Sequence, residues 1–214
     1  MPSPIDADAR RHTIARLAAR LVATNGAHNI SLRSLAAAAG ASTTVITHYF
    51  ANKADVLEAA YRASVDEARE RVEAVHEDDD RRVLLLCEAV LPLDEPRRMN
   101  WLTWIAFMGT AISEPRLATL QRRRTTDHRT LVCQAIAAAQ DAGRVHPDRD
   151  AAEEARALVA LVHGIATQAV FHPDDWPQDR QLAPVRAFCD DLSRPPHGEE
   201  TATRPEGGRG ATGR

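Results

Sequence analysis

The sequence has few cysteines, few aromatic residues and almost no lysine. Lys53 stands alone beside 26 arginines, and the nine aromatic residues make up 4% of the chain. Cys87, Cys133 and Cys189 lie far apart, without the spacing of a disulfide framework or of a zinc ligand set, so we expect reduced, mostly buried thiols. The longest nearly uncharged stretch, residues 99–113, is shorter than the ~20 apolar residues that a membrane-spanning helix needs. With no basic, apolar leader at its start, the sequence predicts a cytoplasmic protein with no membrane partner.

The motifs of the common enzyme classes are also missing. We find no glycine-rich dinucleotide or phosphate loop, no His-Glu-x-x-His sequence and no nucleophile elbow. The nine histidines are scattered, and no two of them are four residues apart. We therefore expect no enzymatic activity, no cofactor and no metal ion.

Helical periodicity is present from end to end of the 214 residues. Alanine and leucine recur at helical spacing, and no alternating β-branched run is evident. The length suits one small and one larger helical domain, so we predict an all-α fold with domains at residues 1–55 and 56–193. Residues 194–214 contain no Val, Ile, Leu, Met or aromatic residue and hold five of the ten glycines, which predicts a disordered tail.

Residues 31–57, SLRSLAAAAGASTTVITHYFANKADVL, predict a DNA-binding helix-turn-helix in the N-terminal domain. Ser31 can cap a short first helix, and Gly40 can end that helix in a left-handed conformation. Ser42 can then cap a second helix. Asn52, followed three residues later by an aspartate, can cap a third in an arrangement like a capping box. The glycine turn sets the first two helices at a steep angle.

The second helix carries short polar side chains that suit the major groove of DNA. For base edges we expect contacts from Thr43, Thr44, Thr47, His48 and Arg33. For phosphates we expect contacts from Ser31, Ser42, Tyr49 and Lys53. Residues 1–62 contain seven basic and four acidic side chains, whereas the rest of the chain has a net charge of −6. This asymmetry favours a cationic DNA-binding end on an acidic body.

An alternative interpretation is a helical adaptor that binds other proteins and has no specific affinity for DNA. Alanine-rich helix pairs around a glycine turn occur in many such proteins. The two interpretations differ in whether the protein binds duplex DNA in a salt-dependent manner.

The N-terminal motif resembles that of the TetR-type repressors over about residues 6 to 62. The residues that carry the resemblance are Ile14, Ala18, Gly26, Ile30, Leu35, Ala36, Ala39, Gly40, Ala41, Ser42, His48, Tyr49, Phe50, Asn52 and Lys53. Residues 46–50 and 158–170 are most similar to the Bet-type, choline-pathway branch, in which an aspartate is common at the position of His163. Thr44 and Thr47 replace a glycine and an aromatic residue that are frequent in the family, so base preferences do not transfer.

The resemblance implies a homodimeric repressor that binds a palindromic double-stranded operator. It also implies a pocket for a small-molecule inducer among the middle helices of the larger domain. Such a regulator releases its operator when the inducer binds.

Large apolar side chains recur at helical spacing within residues 97–112. They either fill the core or line a cavity, and the resemblance favours the cavity. Our candidate ligand contacts are Trp101, Trp104, Phe107, Met108 and His163. For His163 the alternative is a hydrogen-bonded core or interface histidine. Tryptophans suit a quaternary ammonium such as choline, but the sequence places no carboxylate beside them.

Two consecutive amphipathic patterns near the C-terminus predict the dimer interface. They cover residues 150–171 and the helix that follows. Small residues at Ala155, Gly164, Ala166 and Ala169 allow close approach, and two copies would form a four-helix bundle. A longer pattern from about Asn52 to residue 72 predicts one helix that joins the two domains, with Tyr61 and Arg62 near the joint.

Overall fold

The computed structural model describes residues 4–77 and 79–196. This part of the chain contains nine α-helices and no strand, which confirms the all-α prediction. The helices are α1 (Pro4–Asn25), α2 (Leu32–Ala38), α3 (Thr43–Tyr49), α4 (Lys53–Glu73), α5 (Arg82–Val90), α6 (Glu95–Ala111), α7 (Pro115–Asp141), α8 (Ala151–Phe171) and α9 (Gln178–Asp191). None of these helices has the length and apolar character to cross a membrane. The predicted disordered tail lies outside the described residues from residue 197 onward.

The predicted caps of the helix-turn-helix are present. Ser31 Oγ accepts a hydrogen bond from the Ser34 amide at 3.0 Å, and Ser34 Oγ accepts one from the Ser31 amide at 2.8 Å, which completes a capping box. Gly40 adopts φ +59°, the left-handed conformation that favours glycine. Ser42 Oγ then accepts from the Val45 amide at 3.3 Å and starts α3. These local bonds set the angle between α2 and α3.

The helix α4 is continuous from the helix-turn-helix into the body of the protein. Asn52 Oδ1 accepts from the Asp55 amide at 3.0 Å, as predicted, while the Asp55 carboxylate accepts from the Ala51 amide at 3.1 Å. The start of α4 packs in the N-terminal core and its end packs against the C-terminal core. At the joint, Tyr61 stacks on Phe107 of α6 with ring centroids 3.9 Å apart.

The N-terminal core is built by α1 to α4. Helix α1 packs along α4 and also contacts α6, so the three-helix motif rests directly on the larger domain. The buried side chains of this core include Ile14, Ala18, Val22, Ile30, Leu35, Ala36, Ile46, Phe50, Val56, Leu57 and Ala60.

The C-terminal core lies among α5 to α9. Its buried members include Leu86, Leu91, Val132, Ile136, Leu158, Val162, Ile165, Val185 and Leu192. All three cysteines are free thiols; Cys87 is buried as predicted, whereas Cys133 and Cys189 are only half-buried. Of the small residues predicted to face a partner, Ala155, Ala166 and Ala169 are buried inside the protomer, and that part of the prediction is wrong. They lie on the same side of α8 as its large core residues, and only Gly164 is exposed.

Candidate DNA-binding face and ligand cavity

Helix α3 presents a polar face to the outside of the N-terminal domain. Its inner side is fixed by Ile46, which is completely buried. The exposed residues on and beside this face are the predicted base contacts Arg33, Thr43, Thr44, Thr47 and His48. A short helix with one side anchored in the core and short polar side chains on the other fits the geometry of a recognition helix.

The predicted phosphate contacts surround this face. Ser31 and Ser42 are exposed at the N-termini of α2 and α3, where their hydroxyls act as caps, and Tyr49 is half-buried with His48 packed edge-on at 5.3 Å. Lys53 Nζ donates a hydrogen bond to the His28 carbonyl at 2.8 Å. This bond spans 25 residues of sequence and holds the ammonium group at the edge of the face.

A second candidate site is a cavity between α4, α6, α7 and α8. It has a volume of about 30 Å³ and adjoins a groove of about 590 Å³ between α4 and α7. The residues that line the cavity are Tyr61, Ser64, Val65, Ala68, Arg71, Val90, Asn100, Trp101, Trp104, Arg124, His128 and His163. Tyr61, Arg124 and His128 also line the groove, so they stand between the two spaces.

Three of the predicted ligand residues meet in the cavity wall. The Trp101 and Trp104 rings are 5.0 Å apart, and the His163 ring lies 5.4 Å and 5.3 Å from them. Phe107 and Met108 are not among the lining residues. Phe107 is completely buried against Tyr61, because the next turn of α6 faces α4 and the start of α7.

Hydrogen bonds hold the indole rings in place. Trp101 Nε1 donates to the Val90 carbonyl at 2.6 Å, and Trp104 Nε1 donates to Gln121 Oε1 at 3.1 Å. The Tyr61 hydroxyl donates to the same Gln121 oxygen at 2.8 Å. With their polar edges satisfied, the rings form a fixed apolar wall for the cavity.

The polar part of the wall was missed by the sequence prediction. Arg124 and His128 come from α7, and Arg71 comes from α4. Burial, helped by the positive charge of Arg124, lowers the pKa of both His128 and His163 to about 4. Both imidazoles are therefore neutral near pH 7.

A polar network connects the cavity to the helix-turn-helix domain. The Arg71 guanidinium donates to Asn100 Oδ1 at 2.7 Å, and Asn100 Nδ2 donates to Glu67 Oε2 at 2.9 Å. The other oxygen of Glu67 pairs with Arg16 of α1 at 2.9 Å. Nearby, the buried Thr103 hydroxyl of α6 lies within hydrogen-bond distance of two carbonyls, that of Ala19 in α1 at 3.1 Å and that of Met99 in its own helix at 3.0 Å. The cavity wall and α1 are therefore joined by a continuous series of polar contacts.

Comparison with known proteins finds a matching family model for each half of the chain. Residues 14–60 match the family model for bacterial regulatory proteins of the tetR family, and residues 79–194 match the model for the C-terminal part of BetI-type transcriptional repressors. The HTH-type transcriptional regulator BetI of Pseudomonas aeruginosa strain PAO1 is 31% identical over 164 residues, which cover 73% of this chain and 79% of BetI. The HTH-type transcriptional regulator PksA of Bacillus subtilis is 27% identical over 184 residues. The matched region covers 84% of this chain and 88% of PksA.

Solved structures of transcriptional regulators share the fold of this chain. A transcriptional regulator from Rhodococcus sp. Rha1 superposes with a TM-score of 0.77 at 24% identity and covers 85% of this chain and 95% of its own. A regulator from Saccharomonospora viridis, solved in complex with choline, superposes with a TM-score of 0.73 at 27% identity and the same coverage.

Proposed function

The chain belongs to the TetR family of bacterial transcriptional regulators, with a BetI-type C-terminal region, and from this premise we propose that it is a homodimeric repressor released from its operator by a small molecule. The observation that supports this most directly is the polar network between the cavity wall and α1. We assign DNA binding to residues 1–55 and ligand binding and dimerisation to residues 56–193. The proposal contains no catalytic step, and it places the protein in the cytoplasm with the chromosome.

We assign the reading of the operator to the exposed face of α3. Its threonines and His48 face the base edges of one major groove, with Arg33 beside them, and Ser31, Ser42, Tyr49 and Lys53 hold the flanking phosphates. Two copies related by a two-fold axis read half-sites about 34 Å apart. The spacing between the two recognition helices therefore decides whether the dimer can bind.

The contacts of α6 explain how a bound ligand would release the operator. Trp101 and Trp104 on this helix line the cavity, and Thr103 between them bonds to α1. A ligand that favours a different position of α6 shifts α1 and with it the recognition helix. The Saccharomonospora regulator, which shares this fold, was solved in complex with choline, and this supports the proposal that the protein responds to a small molecule.

A gel-shift titration tests the function. We expect the protein to bind DNA from the intergenic region upstream of its own gene in excess nonspecific duplex, and to bind more weakly as salt rises. If a folded dimer does not discriminate between DNA sequences at either of two salt concentrations, the adaptor interpretation is favoured instead.

Two substitutions test the assigned contacts in the same assay. Lys53→Ala should weaken binding to all duplexes alike and lower the salt slope by about one, while Lys53→Arg keeps the slope. Thr47→Ala should reduce the preference for the operator over a mutated site by about 1 kcal/mol. The control Thr126→Ala changes an exposed threonine of α7 and should have no effect. An unchanged salt slope in Lys53→Ala would refute the phosphate assignment.

A further inference from the structure

The cavity wall is rich in positive charge and contains no acidic residue. Arg71 and Arg124 line it together with His128 and His163, and no Asp or Glu is among its lining residues. We infer that the ligand of this cavity is a small organic monocarboxylate with an apolar body, and not a cation such as choline. The inference rests on the proposed function, because it names the chemical class that occupies the proposed inducer site.

Arg124 is the residue that points most clearly to an anion. It is half-buried, and the neutral hydroxyl of Tyr61 lies close to it. Within the described residues, no carboxylate forms an ion pair with it. The preceding residue on the same helix, Arg123, pairs with Asp127 in the adjoining groove. A half-buried guanidinium without a counter-ion is a preorganised partner for a ligand carboxylate.

The second arginine of the wall is also held by neutral groups. Arg71 donates to the Ala89 carbonyl at 3.1 Å and to Asn100 Oδ1 at 2.7 Å. The nearest acid in this network, Glu67, lies behind Asn100 and pairs with Arg16, outside the cavity lining. Asp94, Glu67 and Glu70 partly offset the charge of Arg71 from outside the cavity lining. A cation in the cavity would therefore meet the Arg124 charge with no lining carboxylate to offset it.

The size of the cavity agrees with a carboxylate head group. A volume of about 30 Å³ holds roughly two water-sized groups, which is room for the two oxygens of a carboxylate. The adjoining groove is far larger, and Val65, Leu120 and Leu131 give it apolar surface for the body of the ligand. Of the acidic groove residues, Glu73 and Asp127 are paired with Arg69 and Arg123 at its rim, and Asp66 is exposed to solvent.

Matched acids and amides test the inference directly. We would titrate the full-length dimer by calorimetry with benzoate, phenylacetate and octanoate, with the primary amide of each, and with choline. At least one carboxylate should bind about tenfold more tightly than its own amide and than choline. Any of three results would overturn the inference. The acid and its amide could bind equally well, or choline could bind as tightly as the best carboxylate. In the third, no carboxylate would bind with a Kd below about 10 mM.

The Arg124→Gln variant locates the interaction. It should lose the preference for acid over amide by about tenfold, while the control Arg122→Gln, an exposed arginine of the same helix, keeps it. Arg124→Lys should retain part of the preference. If Arg124→Gln does not fold, the acid and amide comparison in the unaltered protein still decides the matter.

Operator binding separates this inference from the proposed function. A protein that binds its operator but no carboxylate refutes only the ligand class. A protein that binds carboxylates but discriminates between no DNA sequences refutes only the repressor.

Discussion

At the scale of single residues, the histidines of the cavity are the most unusual feature. His128 and His163 lie beside Arg124 of α7 and face Tyr61 and Arg71 of α4, with no acid among the lining residues. Burial and the Arg124 charge lower the pKa of each imidazole to about 4. Since an unfolded histidine titrates near ~6.5, the unfolded chain binds more protons than the folded one between these values.

This difference makes stability depend on pH. The free energy of unfolding should fall as the pH drops from 7 toward 4, because acid favours the unfolded state over this range. Each histidine contributes roughly 2 kcal/mol to the loss between pH 7 and pH 5. We therefore expect the double variant His128→Gln/His163→Gln to lose about 2–4 kcal/mol less than the unaltered protein, as measured by urea denaturation. The exposed His172→Gln serves as control. Equal pH profiles in the double variant and the wild type would contradict the assigned pKa direction.

At the scale of elements, α6 has a different partner on each of its sides. Trp101 and Trp104 form the cavity wall, Thr103 bonds to α1, and Phe107 stacks on Tyr61 of α4. Helix α4 in turn packs in both cores. The two helices are therefore the elements through which a ligand can alter the position of α3.

Replacing Thr103 with valine removes the bond to α1 and keeps the side-chain shape. We expect Thr103→Val to bind its carboxylate ligand normally but to lose about 0.5–2 kcal/mol of the coupling between ligand and operator. The measurement is operator affinity with and without saturating ligand. Thr119→Val, which removes an exposed hydroxyl bonded within α7, is the control. Unchanged coupling in Thr103→Val would show that the signal runs through other contacts.

For the molecule as a whole, we propose that the outer face of α8 forms the contact between protomers. It is lined by exposed small residues, Ala157, Ala160 and Gly164, and ends at Phe171, whose side chain is 63% exposed. Small residues allow two helices to approach closely, and an exposed phenylalanine at the end of such a stripe gains from being covered. Of the small residues that the sequence pattern predicted for the dimer interface, only Gly164 belongs to this face.

A charge at the centre of this face should separate the protomers. Gly164 has no heavy atom within 4 Å of the place where a Cβ would stand, so Gly164→Glu fits within the protomer. Burying the new carboxylate against a partner should weaken the dimer by about 3 kcal/mol, roughly a hundredfold. Sedimentation equilibrium measures the change, and circular dichroism checks the helices. Gly109→Glu, at an equally open position of α6, is the control. A dimer of unchanged stability in Gly164→Glu would exclude α8 from the interface.

The helices and cap residues of the DNA-binding motif could be predicted from local sequence alone. Ser31, Gly40, Ser42 and Asn52 act through bonds or backbone angles that involve residues at most four positions away. The exposed polar face of α3 follows from the same local periodicity. Such features depend on the chain near each residue and so are visible in the sequence.

The composition of the cavity wall and the exposed face of α8 depend on how the helices pack and could not be predicted from the sequence. On the amphipathic helix α7, Arg124 and His128 look like members of a solvated face, and they become cavity residues because α7 packs beside α4, α6 and α8. Helix α6 is apolar nearly all round, so its pattern could not show that Trp104 lines the cavity while Phe107 fills the core. These outcomes depend on contacts between residues distant in sequence, and periodicity within one helix carries no information about its neighbours.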